Sequence, residues 1–184
     1  MSPDLRDLVA GYQRRLTIVW GVFVAATVFY AIVGVVVARQ APGAPAGLSS
    51  LPIVVGIATC GLAIAGAGAA AGQRLLTQAL QGGKVGGAPL PPPRLPGRNL
   101  TDEERFLVSR LPAYQVVMII TWASYEAAAV VGLVLSIMMR DLVPAVLGSA
   151  VALVLLASNR PQVEAFIEEC DRWRRLHRRG GDDL

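Results

Sequence analysis

Residues 113–139, AYQVVMIITWASYEAAAVVGLVLSIMM, run for 27 residues with a single charge, the carboxylate of Glu126. A helix rises about 1.5 Å per residue, so such a block exceeds the ~30 Å hydrocarbon core of a bilayer. Three more blocks follow the same pattern. Leu16 to Ala38 holds 23 residues without a charge and Leu51 to Gly72 holds 22, the second rich in Gly and Ala. Leu142 to Ala157 has 16, so it must tilt little, recruit flanking residues or meet a thinned bilayer. The first block is read as a retained span because signal-peptide cores run only about 7–15 apolar residues.

The composition of the 184 residues agrees: 54% are hydrophobic and 16% charged, whereas soluble domains carry roughly 25% charged residues. The predicted fold is all-α, a polytopic integral membrane protein with four transmembrane helices in a bundle and short amphipathic cytoplasmic helices at both ends. The expected order is an amphipathic segment at 1–15, a span at 16–38, an extracytoplasmic loop at 39–50 and a second span at 51–72. A cytoplasmic Gly/Pro-rich loop with a short helix follows at 73–112, then a third span at 113–139. A tight extracytoplasmic turn at 140–141, a fourth span at 142–157 and an amphipathic tail at 158–184 complete the chain.

Orientation follows from the 17 basic residues. Fifteen precede the first block, lie between the second and third, or follow the fourth; the opposite side receives Arg39 and Arg140 alone. The positive-inside rule then places both termini and the middle loop in the cytoplasm. The net charge of +4 therefore belongs to a surface facing anionic lipid headgroups rather than to a nucleic-acid groove. The Arg/Ala/Gly/Val-rich composition suggests a bacterial inner membrane.

The connecting segments carry ordinary helix signals. Pro3 can occupy the first helical position, and Leu5, Leu8, Val9 and Tyr12 share a face, so residues 3–15 read as a short amphipathic helix that either lies at the interface or extends the first span. Pro89 and Pro91 to Pro93 form a polyproline-like spacer, whose run to Arg94 also matches a proline-rich docking ligand. Thr101 and Glu104 stand at capping-box spacing, so a helix is expected from Asp102 with a break or kink before Pro112. In the tail Val163, Phe166, Ile167, Cys170 and Trp173 make one apolar stripe, with acids first and arginines last. That helix either lies on the inner leaflet or packs against the middle-loop helix.

Glu126 is the candidate functional residue. Near the middle of its block an ionised carboxylate costs on the order of 2.5–3.5 kcal/mol on insertion scales. A carboxyl group that gains and loses a proton there is the raw material of ion coupling. Gln115 and Trp122 share its helix face and complete the candidate ion- or proton-binding set. The competing assignment is structural: Glu126 as a hydrogen-bonding tie to Thr27, Tyr30, Thr59, Ser149 or a backbone carbonyl of a neighbouring helix. In the second block Ala58, Gly61, Ala65, Gly68 and Gly72 recur every three or four residues and let another backbone approach; Ala145, Gly148, Ser149 and Ala152 repeat the pattern in the fourth. Those faces can meet within one chain or between copies.

Residues Trp122 to Val134, WASYEAAAVVGLV, resemble the carboxylate helix of rotary ATPase proteolipids, the c and K subunits, in which a Glu precedes small apolar residues and a Gly. The Gly/Ala stripe of the second block is similar to their inner helix. The resemblance implies that Glu126 would bind a proton or sodium ion. The chain differs from that family in carrying its acid in the third block, behind a long loop.

Other chemistry lacks components. Cys60 falls in a span and Cys170 in the cytoplasmic tail, so no disulfide is expected, and a single histidine, His177, leaves a metal site short of ligands. No phosphate loop or dinucleotide fingerprint is present, and no cofactor is expected. The leading expectation is a non-enzymatic scaffold or accessory subunit of a membrane complex, whose partners are the bilayer, its anionic headgroups, and another membrane protein or a second copy. The alternative is a proton- or cation-coupled channel or carrier component that uses Glu126.

Overall fold

The structure, a computed structural model, describes residues 3–40, 51–82, 84–85, 88–89 and 101–179. It is helical: α1 spans Pro3–Gln40, α2 Leu51–Gly82, α3 Asp102–Met139, α4 Val143–Ser158 and α5 Val163–Arg179. A two-residue antiparallel pair joins β1 (Lys84–Val85) to β2 (Ala88–Pro89). Two helical stretches, Pro3–Val37 and Glu104–Met139, are long and apolar enough to cross a membrane; a third is reached if α4 and α5 form one broken span. The polyproline run beyond Pro89 and most of the loop at 39–50 lie outside the described residues.

Of the two placements open to the N-terminal amphipathic stretch, extension of the first block is observed: it is the start of α1. Asp4 sits in its first turn and Arg39 in its last, each on the side the helix dipole favours. Between Tyr12 and Leu16 stand Gln13, Arg14 and Arg15, good helix formers that give no stop signal. Two other sequence expectations change. The second block continues as helix to Gly82, through Gln73 to Gln81. The expected break before Pro112 is absent, since α3 runs through that proline. Leu111 and Ala113 on either side are 1% and 0% exposed, so burial of the flanks offsets the hydrogen bond that proline cannot make. The capping box does form: Glu104 N–H donates to Thr101 Oγ1 at 3.3 Å and Thr101 N–H to Glu104 Oε2 at 3.2 Å.

Contacts divide the chain into two compact units. The first comprises Met1–Ile18, Gly72–Met118 and Pro161–Leu184. Its core takes Leu5, Val9 and Leu16 from α1, Val108, Leu111 and Val117 from α3, and Val163, Phe166, Ile167 and Cys170 from α5. The apolar stripe of α5 therefore faces protein. Tyr114 stacks on Phe166 with centroids 4.4 Å apart, and the Arg174 guanidinium lies 5.4 Å from the Phe106 centroid. Of the two placements open to the tail helix, the packed one is observed.

The second unit comprises Val19–Ala71 and Ile119–Arg160, and so takes segments of α1, α2, α3 and α4. Phe23 lies against Trp122, and Gly34 approaches Leu133, so α1 and α3 run parallel. Gly61 faces Ala128 while Gly68 faces Ser124, which makes α2 antiparallel to α3. Trp20 meets Leu156 and Gly34 meets Ala145, so α4 is antiparallel to α1. At the crossing of α3 and α4 the backbones touch. A Cβ on Gly132 would stand 2.5 Å from Pro144 O, and one on Gly148 would stand 2.7 Å from Ala128 O. Only hydrogen fits at those two positions. Many of the large apolar side chains of this unit point outward, among them Val22, Phe29, Ile32, Val36, Val134, Met138 and Val154.

The turn between α3 and α4 is tight. Arg140 adopts φ 54°, Asp141 N–H donates to Ser136 O, and Asp141 Oδ1 accepts the Val143 N–H at 3.0 Å. The Ser136 hydroxyl closes the loop on Asp141 O.

Candidate functional site

Glu126 lies in the second unit on α3, and its carboxyl is the hydrogen-bond partner of the Tyr30 phenol on α1. The parallel course of α1 and α3 creates this pairing, with Phe23 against Trp122 below it and Gly34 against Leu133 above. Both side chains are half-buried. The other hydroxyls proposed as partners are engaged elsewhere or alone. Thr27 Oγ1 donates to Phe23 O at 2.9 Å and Thr59 Oγ1 to Val55 O at 2.7 Å, each on its own helix. Ser149 Oγ is buried and has no hydrogen-bond partner among the described residues.

The other two members of the predicted set do not gather around the carboxyl. Gln115 belongs to the first unit, three turns earlier on α3. Trp122 is fully buried, and its indole Nε1–H donates to Asn159 O at 2.9 Å. Its one donor is thus committed to the end of α4 rather than to an ion. A carboxyl and a phenol can exchange a proton or tie two helices together, but they supply too few ligands to enclose a metal. Among the described residues no three His, Cys, Asp or Glu side chains cluster.

The helix-packing positions have defined places. Gly61 and Gly68 lie against Ala128 and Ser124 of the same chain, and Gly148 against Ala128 and Gly132. Ala152 is fully buried in the second unit, whereas Gly72 is buried in the first. The side chains of Ala58 and Ala65 lie outside the described residues.

Two groups of polar contacts were not legible from motifs. At the end of α4, Trp20 Nε1–H donates to Leu156 O at 2.9 Å, while Trp122 serves Asn159 O. Two indoles from two helices thereby bond to the end of α4: Trp122 serves the carbonyl of the C-cap residue, and Trp20 adds a second donor to Leu156 O, which also accepts the Asn159 N–H at 3.3 Å. In the first unit Gln13 does the same at the start of α5. Its Nε2–H donates to Pro161 O at 2.7 Å, and its Oε1 accepts the Val163 N–H at 2.9 Å. Tyr114 Oη accepts the neighbouring Gln162 N–H at 3.1 Å. The available signal was position: Gln13 continues the four-residue spacing of Leu5 and Val9, a polar side chain at a core register. An open cavity of about 520 Å³ beside this latch is lined by Gln13, Pro161, Gln162, Glu164, Ala165 and Glu168.

Cys170 faces the interior of the first unit at 2% exposure. Burial pushes its thiol up to about 12, outweighing the lowering effect of Arg110. Such a group is a small apolar core residue, not a nucleophile.

Comparison with protein-family models, with curated proteins and with solved structures finds no match to this chain.

Proposed function

We propose that the protein is a small integral membrane protein with four helical spans and cytoplasmic termini, acting non-enzymatically as a scaffold or accessory subunit of a bacterial inner-membrane complex. Support for four spans comes from the second unit. Its helix segments alternate in direction, as four successive crossings require, and its outer surface carries Val, Ile, Phe and Met. Within the unit the Tyr30–Glu126 pair and the Trp20 and Trp122 bonds to the end of α4 give polar side chains protein partners, as a lipid surround would demand. The 15-to-2 division of basic residues gives the orientation.

The observation that carries the non-enzymatic reading is the hydrogen bond between Glu126 and Tyr30. It accounts for the mid-block acid as a tie between α1 and α3, with no second acid or base of the second unit needed beside it. The test is Glu126→Gln in proteoliposomes. The amide still accepts a phenol hydrogen bond but exchanges no proton. The scaffold reading expects no proton or cation flux in the parent and no carbodiimide labelling at Glu126. A parental flux that a well-folded Glu126→Gln protein loses would make Glu126 the coupling residue of a channel or carrier instead. Affinity capture from native membrane with mass spectrometry identifies the complex.

A further inference from the structure

We infer that Arg160, held on the indole of Trp20, is a binding site for the phosphodiester headgroup of an anionic glycerophospholipid at the cytoplasmic surface. The inference rests on the membrane reading above and gives it a lipid class and two residues. Arg160 follows α4 and lies in the second unit together with Trp20. Its Cζ is 5.5 Å from the centroid of the Trp20 ring, inside the ~6 Å range of cation–π attraction. The ring is fixed in turn, because Trp20 Nε1–H donates to Leu156 O in the last turn of α4. One hydrogen bond therefore sets the indole, and the indole sets the guanidinium.

What distinguishes Arg160 is that it is preorganised and unspent. It is exposed, and among the described residues it makes no hydrogen bond or ion pair. Arg172 and Arg175, by contrast, are paired with Glu169 at 3.3 Å and Asp171 at 2.8 Å. A guanidinium offers five N–H donors in a planar fork that matches two phosphate oxygens. Holding that fork against a ring in advance reduces the ordering loss on binding. The depth also fits. Trp20 stands five residues into the first apolar block and Arg160 three residues past the fourth, where aromatic belts and headgroups meet. The same two helices expose Val22 and Val154 as apolar surface for acyl chains. A free phosphate ion shares the headgroup's chemistry but lacks those chains.

The experiment uses the full-length chain in nanodiscs, with Trp122→Phe and Trp173→Phe leaving Trp20 as the reporter. Brominated phosphatidylglycerol or brominated phosphatidylcholine replaces the same minor fraction of a phosphatidylcholine bilayer. Contact enrichment of about five-fold for the anionic lipid is expected, the factor that one basic residue at an anionic surface supplies. Arg160→Gln should abolish that preference without lowering thermal stability, Arg160→Lys should restore less than half of it, and Arg39→Gln should leave it intact. Lipid co-purifying with the tryptophan-containing parent and its Arg160→Gln variant gives a second readout if the single-tryptophan background fails to fold. Equal quenching by both lipids in the parent overturns the site while leaving the membrane reading in place. Absence of quenching by either overturns both. Loss of preference in Arg39→Gln reduces the effect to bulk charge and overturns the site. An equal response of Trp20 to inorganic phosphate in phosphatidylcholine discs overturns the assignment to lipid.

Discussion

A double-mutant cycle on Tyr30 and Glu126 separates a tie between helices from an incidental contact. Tyr30→Phe removes the phenol donor with little change in shape, and Glu126→Leu removes the acceptor. Hydrogen bonds between membrane helices average about 0.6 kcal/mol and reach about 1.7, while bonds to ionised acceptors in proteins run about 1.5–3. Both partners here are half-buried rather than enclosed. A coupling of about 1 kcal/mol is therefore expected, above the ~0.3–0.5 kcal/mol scatter of additive sites. The assay is reversible unfolding in mixed micelles titrated with a denaturing detergent, followed by helical signal in all four proteins. Glu126→Leu alone can be neutral or stabilising, because it also removes a polar group from an apolar unit; only the coupling is diagnostic. A coupling inside the additive scatter would refute the pairing, and with it the account of why a carboxyl stands at this position. Glu126→Gln should retain most of the coupling, since its amide oxygen still accepts from the phenol.

Three other perturbations test separate parts of the structure. Trp122→Phe keeps the ring near Phe23 but leaves Asn159 O without its donor, so unfolding in mixed micelles should show a loss of about 1–2 kcal/mol. Arg140 sits at φ 54°, where a β-branched side chain is strained, so Arg140→Val should be less stable than Arg140→Gly by about 1–2 kcal/mol in the same assay. In a Cys60→Ala background Cys170 should resist maleimide until the chain unfolds, with a rate that stays low between pH 7 and 9. Its folded thiol is raised from 9.0 to about 12, so its contribution to stability is complete below pH 9. That contribution is lost as the pH rises towards 12, because the unfolded thiol ionises first.

The helical blocks were legible in the sequence because uncharged runs of this length have few other outcomes. Their ends were not. Leu16 and Leu51 begin apolar runs, yet α1 starts at Pro3, and α2 continues ten residues past Gly72. Arg14, Arg15, Gln73 and Arg74 end an apolar run without ending a helix, since Arg and Gln are good helix formers. Pro112 was overvalued as a stop signal because its flanks Leu111 and Ala113 are core residues, a fact of tertiary packing. Glu126 was visible as an anomaly, and Tyr30 was one of several equivalent candidates. Choosing it required the relative register of α1 and α3, which no periodicity within either helix contains. The same holds for Trp20 and Arg160, which are separated by most of the chain.

The two units explain why whole-helix periodicity was a weak guide. In its first four turns α1 buries Leu5, Val9 and Leu16 and exposes Arg6, Asp7 and Arg14, the pattern of a helix whose outer face meets water. Beyond Val19 the pattern inverts, with Val22, Phe29, Ile32 and Val36 outside and Thr27 and Gly34 inside. α3 repeats the change: Val108, Leu111 and Val117 are buried, while Val130, Val134 and Met138 are exposed. One continuous helix therefore carries two different exposure patterns, as a helix that passes from water into lipid would, and its two apolar faces cancel when averaged over its length. Under the membrane reading the change from one pattern to the other marks the headgroup level of each helix. On α1 it falls next to Trp20, the residue on which the Arg160 guanidinium rests. A charge placed on the outer face should then be tolerated before that level and not after it. Ala10→Lys, on an exposed position of the first unit, should still insert and fold, whereas Phe29→Lys, at 61% exposure in the second, should impair insertion by about 2.5–3.5 kcal/mol on a biological scale. Equal tolerance of both would show that the outward apolar surface of the second unit meets water rather than lipid.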